Sequence, residues 1–308
     1  MSAPHTPTST PSTAPPASAD SARPGISVRS IVKMARQGDA FACLTCYDAT
    51  TARWLEAAGV HILLVGDTAG EVVLGFPNTV HTPLEFLITL TAGVKRGAPS
   101  TLIMADMPFM SYQADDAEGV RNAGRFMTEG LADLVKLEVD RSFAPLVAKL
   151  ARAGVPVVAH IGSRPQQAKL QGGYLAAGKT ADAALALLDD ANALVEAGAA
   201  MLLIEAAPAE VAEAIVREAR VPVIGCGAGP ACHGQVIVLQ DLLGMTPWQP
   251  AFAIPGAEVG KAILAAAKGW VSRVGARELG AHPYAMSDAE RDAFTKAVAL
   301  RPRAGSRA

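Results

Sequence analysis

The chain is poor in the features that mark several protein classes. Among 308 residues there are 4 cysteines. Their spacing gives no disulfide framework, so a reducing, cytoplasmic compartment is expected. An excess of one charge is also missing: 27 basic residues meet 29 acidic ones, for a formal net charge of −2. That balance argues against nucleic acid or an anionic membrane as a partner. No apolar run is long and uninterrupted enough to span a bilayer. Met1 to Pro24 is made of Ser, Thr, Ala and Pro with almost no large apolar side chain. It lacks the apolar core of a signal peptide, and its prolines oppose an amphipathic transit helix. Residues 1–26 are expected to form a disordered tail.

What is present is apolar and regular. Half of the residues are hydrophobic and 18% are charged, which is ample for a large core. Residues 27–308 are expected to form one domain. Strands are expected at Phe41–Asp48, from Ile62 to Val65, and at Thr101–Met107, Leu134–Val139, Val155–Ile161, Met201–Ala206 and Pro222–Gly225. Ala251–Ile254 is the candidate eighth strand. Amphipathic segments stopped by glycine or alanine lie between them. Ser27–Gln37 reads as a helix before the first strand. Val259–Val274 and Ser287–Leu300 read as helices after the last, the latter with a Ser287/Glu290 capping box. Eight β-then-α units favour a closed (β/α)8 barrel over an open doubly wound sheet.

The apolar runs end in polar groups. Ile62-Leu63-Leu64-Val65 runs into Gly66-Asp67-Thr68, and Leu102 to Ala105 runs into Asp106. Lys136 and Glu138 follow Leu134-Val135, His160 follows Val157 to Ala159, and Glu205 follows Leu202 to Ile204. A barrel of this kind carries its active site at the strand C-termini. Asp67 and Asp106, on successive strands, would repel each other unless something positive lay between them. A divalent cation with oxygen ligands answers that, and Mg2+ takes one or two carboxylates. Helix capping or an arginine partner is the alternative.

Lys136 and Glu138 are two apart on one strand and therefore share a face. They read either as a substrate-carboxylate anchor with an acid beside a metal-bound water, or as an internal salt bridge. His160 reads as a hydrogen-bonded structural residue or as a base. Glu205, emerging from an apolar run, should be desolvated, which would raise its pKa towards general-base duty. Gly225 to Gly229 reads as a phosphate loop or a tight turn. Cys43 and Cys46, three apart on a strand, should face opposite sides, which discounts a metal or redox pair.

The strings Thr45-Cys46-Tyr47-Asp48, Leu64-Val65-Gly66-Asp67-Thr68, Ala105-Asp106-Met107-Pro108-Phe109 and Val135-Lys136-Leu137-Glu138 occur in that order. Ala159-His160-Ile161-Gly162, Gly172-Gly173-Tyr174, Glu205-Ala206-Ala207-Pro208 and Gly225-Cys226-Gly227-Ala228-Gly229 follow. Together they resemble the ketopantoate hydroxymethyltransferase family over roughly Ile31 to Met245. The resemblance implies an α/β fold, a (β/α)8 TIM barrel of the phosphoenolpyruvate-binding superfamily type, assembled as a homo-oligomer, commonly a decamer. It implies Mg2+ or another divalent cation at Asp67 and Asp106, with Glu138 the third residue of the metal site. Thr68, Lys136, His160 and Tyr47 would join Asp67 and Asp106 around a 2-oxo acid, and Glu205 would be the catalytic base. The implied reaction uses 5,10-methylenetetrahydrofolate and 3-methyl-2-oxobutanoate in pantothenate biosynthesis.

The chain departs from the family pattern at Val139-Asp140, where paired glycines are usual, and at Cys226, where Ile is common. It departs also at Asn78 to Pro83, at His233-Gly234-Gln235, at Pro250-Ala251-Phe252 and at the C-terminus. These positions fall where the side-chain pocket and the folate would lie. A paralogue using the same chemistry on a different 2-oxo acid is therefore a second expectation.

Overall fold

The structure, a computed structural model, describes residues 25–280 and 282–301. The expected tail lies outside the described residues, apart from Gly25 and Ile26. The Ile26 amide donates to the Ser100 carbonyl at 2.8 Å.

Parallel strands close into a barrel in chain order. They are β1 (Phe41–Thr45), β2 (Ile62–Val65), β3 (Leu102–Asp106), β4 (Leu134–Glu138), β5 (Val157–Gly162), β6 (Met201–Glu205), β7 (Val223–Cys226) and β8 (Gly234–Ile237). Helix α1 (Val28–Gln37) precedes β1, and α2 (Ala49–Ala57) joins β1 to β2. Helices α3 (Ala69–Val72) and α4 (Leu84–Gly97) lead to β3, α5 (Asp116–Thr128) to β4, and α6 (Ala144–Arg152) to β5. Helices α7 (Ala168–Gln171) and α8 (Ala181–Glu196) lead to β6, and α9 (Ala209–Glu218) to β7. The short α10 (Leu239–Leu242) follows β8. A second compact unit begins at Glu258 and holds α11 (Val259–Ala276) and α12 (Asp288–Ala299). No helix among the described residues is long and apolar enough to cross a membrane.

Local chemistry explains where the helices begin. The side chains of Ser27, Asp48, Asp115, Thr180 and Ser287 each accept a hydrogen bond from a first-turn amide. Each satisfies a donor that the helix itself leaves unpaired. Ser287 Oγ accepts the Glu290 amide at 3.3 Å.

The eighth strand is not where the sequence placed it. Residues 251–254 contain no strand, and Gly234–Ile237 closes the barrel between β7 and β1. Parallel neighbours normally need a crossover of a dozen residues or more, usually helical. By that rule a parallel strand so soon after β7 is not expected. Here residues 227–233 suffice, and they contain no helix. Gly227 and Gly229 adopt φ of 64° and 88°, which lets so short a connection turn back on itself.

Although most strands are buried on nearly every residue, the side chains still alternate. Ile62, Leu64, Leu102, Met104, Leu134, Val158, Met201, Leu203, Ile224 and Val236 fill the lumen. Leu63, Val65, Ile103, Val135, Leu137, Val157, Leu202 and Ile204 face the helices. The lumen is therefore a packed core rather than a pore. Its lower end is closed by Ile31 of α1 and by Phe41. The Phe41 ring occupies the space a Cβ on Gly234 would need.

Candidate active site

At the upper end the lumen residues change character. Within the same alternating register, Leu102 and Met104 are followed by Asp106, and Leu134 by Lys136 and Glu138. Val158 is followed by His160, Met201 and Leu203 by Glu205, and Ile224 by Cys226. Pairing sets Asp106 level with Lys136, Glu138 with His160, and Glu205 with Cys226. Parity thus turns scattered sequence positions into one polar layer over the apolar plug. Asp67 arrives by another route, two residues beyond β2. Its amide donates to Asp106 Oδ2 at 3.1 Å, and Thr82 Oγ1 donates to its carbonyl at 2.7 Å.

Neither Asp67 nor Asp106 caps a helix. Lys136 Nζ donates to both oxygens of Asp106, at 2.7 and 2.8 Å. Its distance to Glu138 Oε1 is 4.0 Å, so the internal ion pair joins neighbouring strands rather than the two residues on β4. Burial alone would lower the Lys136 pKa, but Asp106, Asp67 and Glu138 more than offset it and the ammonium persists. Burial, with Asp106 adding to it, pushes the Asp67 carboxyl up to about 8. Burial also raises Glu138 well above its usual range and lifts Glu205 to about 7. His160 is driven well below its ordinary value by burial, with Lys136 and Arg164 contributing. The imidazole is therefore neutral, and its single N–H can serve only one neighbour. Glu205 Oε2 lies 3.4 Å from Nε2, and Glu138 Oε1 lies 3.7 Å from Nδ1.

The expected substrate-binding pair Tyr47 and Thr68 is joined directly, hydroxyl to hydroxyl, at 2.8 Å. Cys43 and Cys46 belong to opposite layers, the lumen and the outer shell, and all four cysteines are free. His233 Nδ1 accepts the Val223 amide at 3.1 Å, which makes it a structural residue at the start of β7.

Two residues at the site escaped the sequence reading. Gln166 and Tyr112 are 4% and 1% exposed and sit among the carboxylates. Gln166 Nε2 donates to Asp67 Oδ2 at 3.0 Å, and its backbone amide donates to Glu138 Oε2 at 3.0 Å. Tyr112 Oη accepts the Glu138 amide at 2.9 Å. A glutamine in a loop rich in Gly and Gln carries no periodic signal that would single it out. Tyr112 lies between β3 and α5, outside any motif.

Among the described residues no group of three His, Cys, Asp or Glu side chains is placed to hold a metal ion. Mg2+ does not require one, because water and substrate oxygens complete its shell. Asp67 and Asp106 supply hard oxygen donors in a layer where carboxyl groups outnumber the ammonium beside them. Asp67, Asp106, Glu138 and Glu205 face the lone ammonium of Lys136. Glu138 Oε1 is buried without a hydrogen-bond partner among the described residues. These residues fit an oxygen-ligated divalent cation.

The sequence profile of the ketopantoate hydroxymethyltransferase family matches residues 25–282. The chain belongs to that family. Its 3-methyl-2-oxobutanoate hydroxymethyltransferase relatives include one from Hyperthermus butylicus, 47% identical over 231 residues, covering 75% of this chain and 80% of the relative. One from Carboxydothermus hydrogenoformans is 43% identical over 250 residues, covering 81% and 91%. The family makes the chain a hydroxymethyltransferase-class enzyme. Among solved structures, phosphonopyruvate hydrolase in complex with oxalate and Mg2+ superposes with a TM-score of 0.56 at 15% identity, covering 90% of this chain and 99% of that one. A 2,3-dimethylmalate lyase of the PEP mutase/isocitrate lyase superfamily gives 0.53 at 16%, covering 88% and 98%. Those two likenesses concern the barrel fold alone.

Proposed function

We propose that this enzyme transfers a hydroxymethyl group from 5,10-methylenetetrahydrofolate to 3-methyl-2-oxobutanoate, giving 2-dehydropantoate for pantothenate biosynthesis in the cytoplasm. The observation that carries the reading is Glu205. It is a lumen-facing acid with a pKa near 7, in the same polar layer as the Asp67, Asp106 and Lys136 cluster.

Asp67 and Asp106 would hold a divalent cation, which would supply Lewis acidity to a ketone oxygen. Lys136 spends two donors on Asp106 and keeps a third for the substrate carboxylate. Thr68 and Tyr47 offer hydroxyls on the Asp67 side. Glu205 takes the proton from the branched carbon beside the carbonyl, and its raised pKa matches that task near neutral pH. Neutral His160 lies beside the Glu205 carboxylate, with Nε2 3.4 Å from Oε2, and limits its movement. At the methylene carbon of the folate, a C–C bond to the electron-rich carbon replaces one C–N bond and a C–O bond to water replaces the other; the two nitrogens take the proton held by Glu205 and one from water, and tetrahydrofolate leaves. A homo-oligomeric assembly, decameric in the resemblance, belongs to the same reading, and sedimentation velocity tests it.

The test of the chemistry is deuterium exchange at C3 of 3-methyl-2-oxobutanoate in D2O with Mg2+, followed by folate-dependent product formation. The wild type should show both and Glu205→Gln neither. Failure of the wild type in both assays would defeat the proposal. A second reading, the same chemistry on another 2-oxo acid, is favoured by Cys226 standing level with Glu205 in the lumen. Exchange across a panel of 2-oxo acids separates the two, since a strong preference for 3-methyl-2-oxobutanoate removes the alternative.

A further inference from the structure

Gln166 lies in a single 3-10 turn, Pro165–Gln167, just after β5. Every polar atom of its side chain is engaged. Nε2 donates to Asp67 Oδ2 and to the Met107 carbonyl, each at 3.0 Å. Oε1 accepts from Gln113 Nε2 at 2.9 Å and faces Tyr112 Oη at 3.0 Å. The amide can sit only one way. Turned over, Oε1 would oppose the carboxylate oxygen of Asp67 and the carbonyl of Met107, and both repel it. Its backbone amide meanwhile holds Glu138 Oε2. One residue thus ties the end of β5 to the rims of β2, β3 and β4. The turn is itself anchored by Arg164, which pairs with Asp140 at 2.7 Å. Asp140 stands at one of the positions where this chain departs from the family pattern.

We propose that Gln166 is a positioning residue that fixes the Asp67 carboxylate for cation binding, occupying Oδ2 and leaving Oδ1 to the ion. The proposal rests on the cation assigned above to Asp67 and Asp106. Partners of this kind orient ligands, and their loss typically weakens metal binding 10- to 100-fold. A neutral amide suits the task because it donates without adding charge to a layer already rich in carboxylates. Glutamate would set a further anion against Asp67, and asparagine is one methylene too short to reach it.

The experiment is a Mn2+ titration, read by electron paramagnetic resonance, of the full chain stripped of metal. Gln166→Met keeps the volume and removes both donors. It should bind Mn2+ at least tenfold more weakly than the wild type, with an unchanged far-ultraviolet spectrum. In turnover, the Mg2+ concentration giving half-maximal rate should rise by a similar factor, while kcat at saturating Mg2+ returns to within about threefold of the wild type. A merely structural residue would instead lower kcat at every Mg2+ concentration, and that result overturns the proposal. So does wild-type Mn2+ affinity in folded Gln166→Met. If Gln166→Met does not fold, Gln113→Leu, which removes the Nε2 donor to Oε1 and leaves Tyr112 on the Glu138 backbone, carries the test with a shift of several-fold in the same direction. Its absence overturns the proposal equally. Absence of Mn2+ binding by the wild type would instead defeat the cation reading on which the proposal stands.

Discussion

Replacing Glu205 with Gln should make the metal-free protein more stable while abolishing turnover, and the gain should depend on pH. Burial raises the Glu205 carboxyl from 4.5 to about 7. The folded state therefore holds this proton more tightly than the unfolded chain does. The resulting stabilisation is complete below about pH 4.5 and is lost as the pH rises through about 7. Above that range the native state carries an ionised group it solvates poorly. A shift of that size corresponds to about 3 kcal/mol. The side chain is 23% exposed, so water shares some of the charge. The expected gain is therefore nearer to about 2 kcal/mol. Glutamine has the same shape and no titration. The two proteins should be closest in melting temperature near pH 5. They should then separate progressively up to pH 7 and stay apart by on the order of 5 °C at pH 8. Thermal melts from pH 5 to 8.5 in EDTA measure this directly. Packing defects introduced by the substitution do not vary with pH, so only the electrostatic part produces the divergence. Melting curves that stay parallel across the range, or a variant that loses stability as the pH rises, would refute the reasoning.

The same carboxyl governs rate: kcat/KM with saturating Mg2+ should rise about tenfold per pH unit on the acid side and level off at or below about pH 7, read from initial rates in overlapping buffers. Asp67→Asn and Asp106→Asn should both weaken Mn2+ binding, yet differ in stability. Asp106→Asn strands the buried Lys136 ammonium and should cost about 3 kcal/mol, whereas Asp67→Asn removes a carboxyl already pushed up to about 8 and should leave the apo protein as stable or more so. Equal melting temperatures for the two variants would contradict the ion-pair assignment. Gly162→Ala should lower stability by ~2 kcal/mol or more and cut kcat at least tenfold. Gly162 sits at φ 96°, and its Cβ would strike the Glu205 carbonyl, so chemical denaturation and single-turnover rates report both losses. Leu203→Ala, in the plug below the site, should cost 2–5 kcal/mol with little change in the pH–rate profile, roughly as for other buried leucines.

The barrel was legible because each apolar run is strand-length and each is closed by a turn residue, and because the polar tips recur at the same place in successive units. The candidate residues were legible for the same reason. Asp67, Asp106, Lys136, Glu138, His160 and Glu205 all interrupt or end an apolar run, and an ionisable group placed there is costly unless it is used. The sequence could not choose among their partners. Lys136 could have met Glu138 on its own strand, but the β3–β4 register puts Asp106 closer, and register is a property of pairing between distant segments. The eighth strand was missed because Gly234–Ile237 is short, begins with glycine and follows a connection shorter than parallel strands usually need. Only closure of the sheet between β7 and β1 makes it a strand. Gln166 was invisible for a related reason. A lone amide side chain has no pattern in sequence, and its meaning comes entirely from carboxylates that fold onto it from β2 and β4. Local alternation and composition therefore determined which residues face the lumen, while strand register and loop closure decided which of them touch.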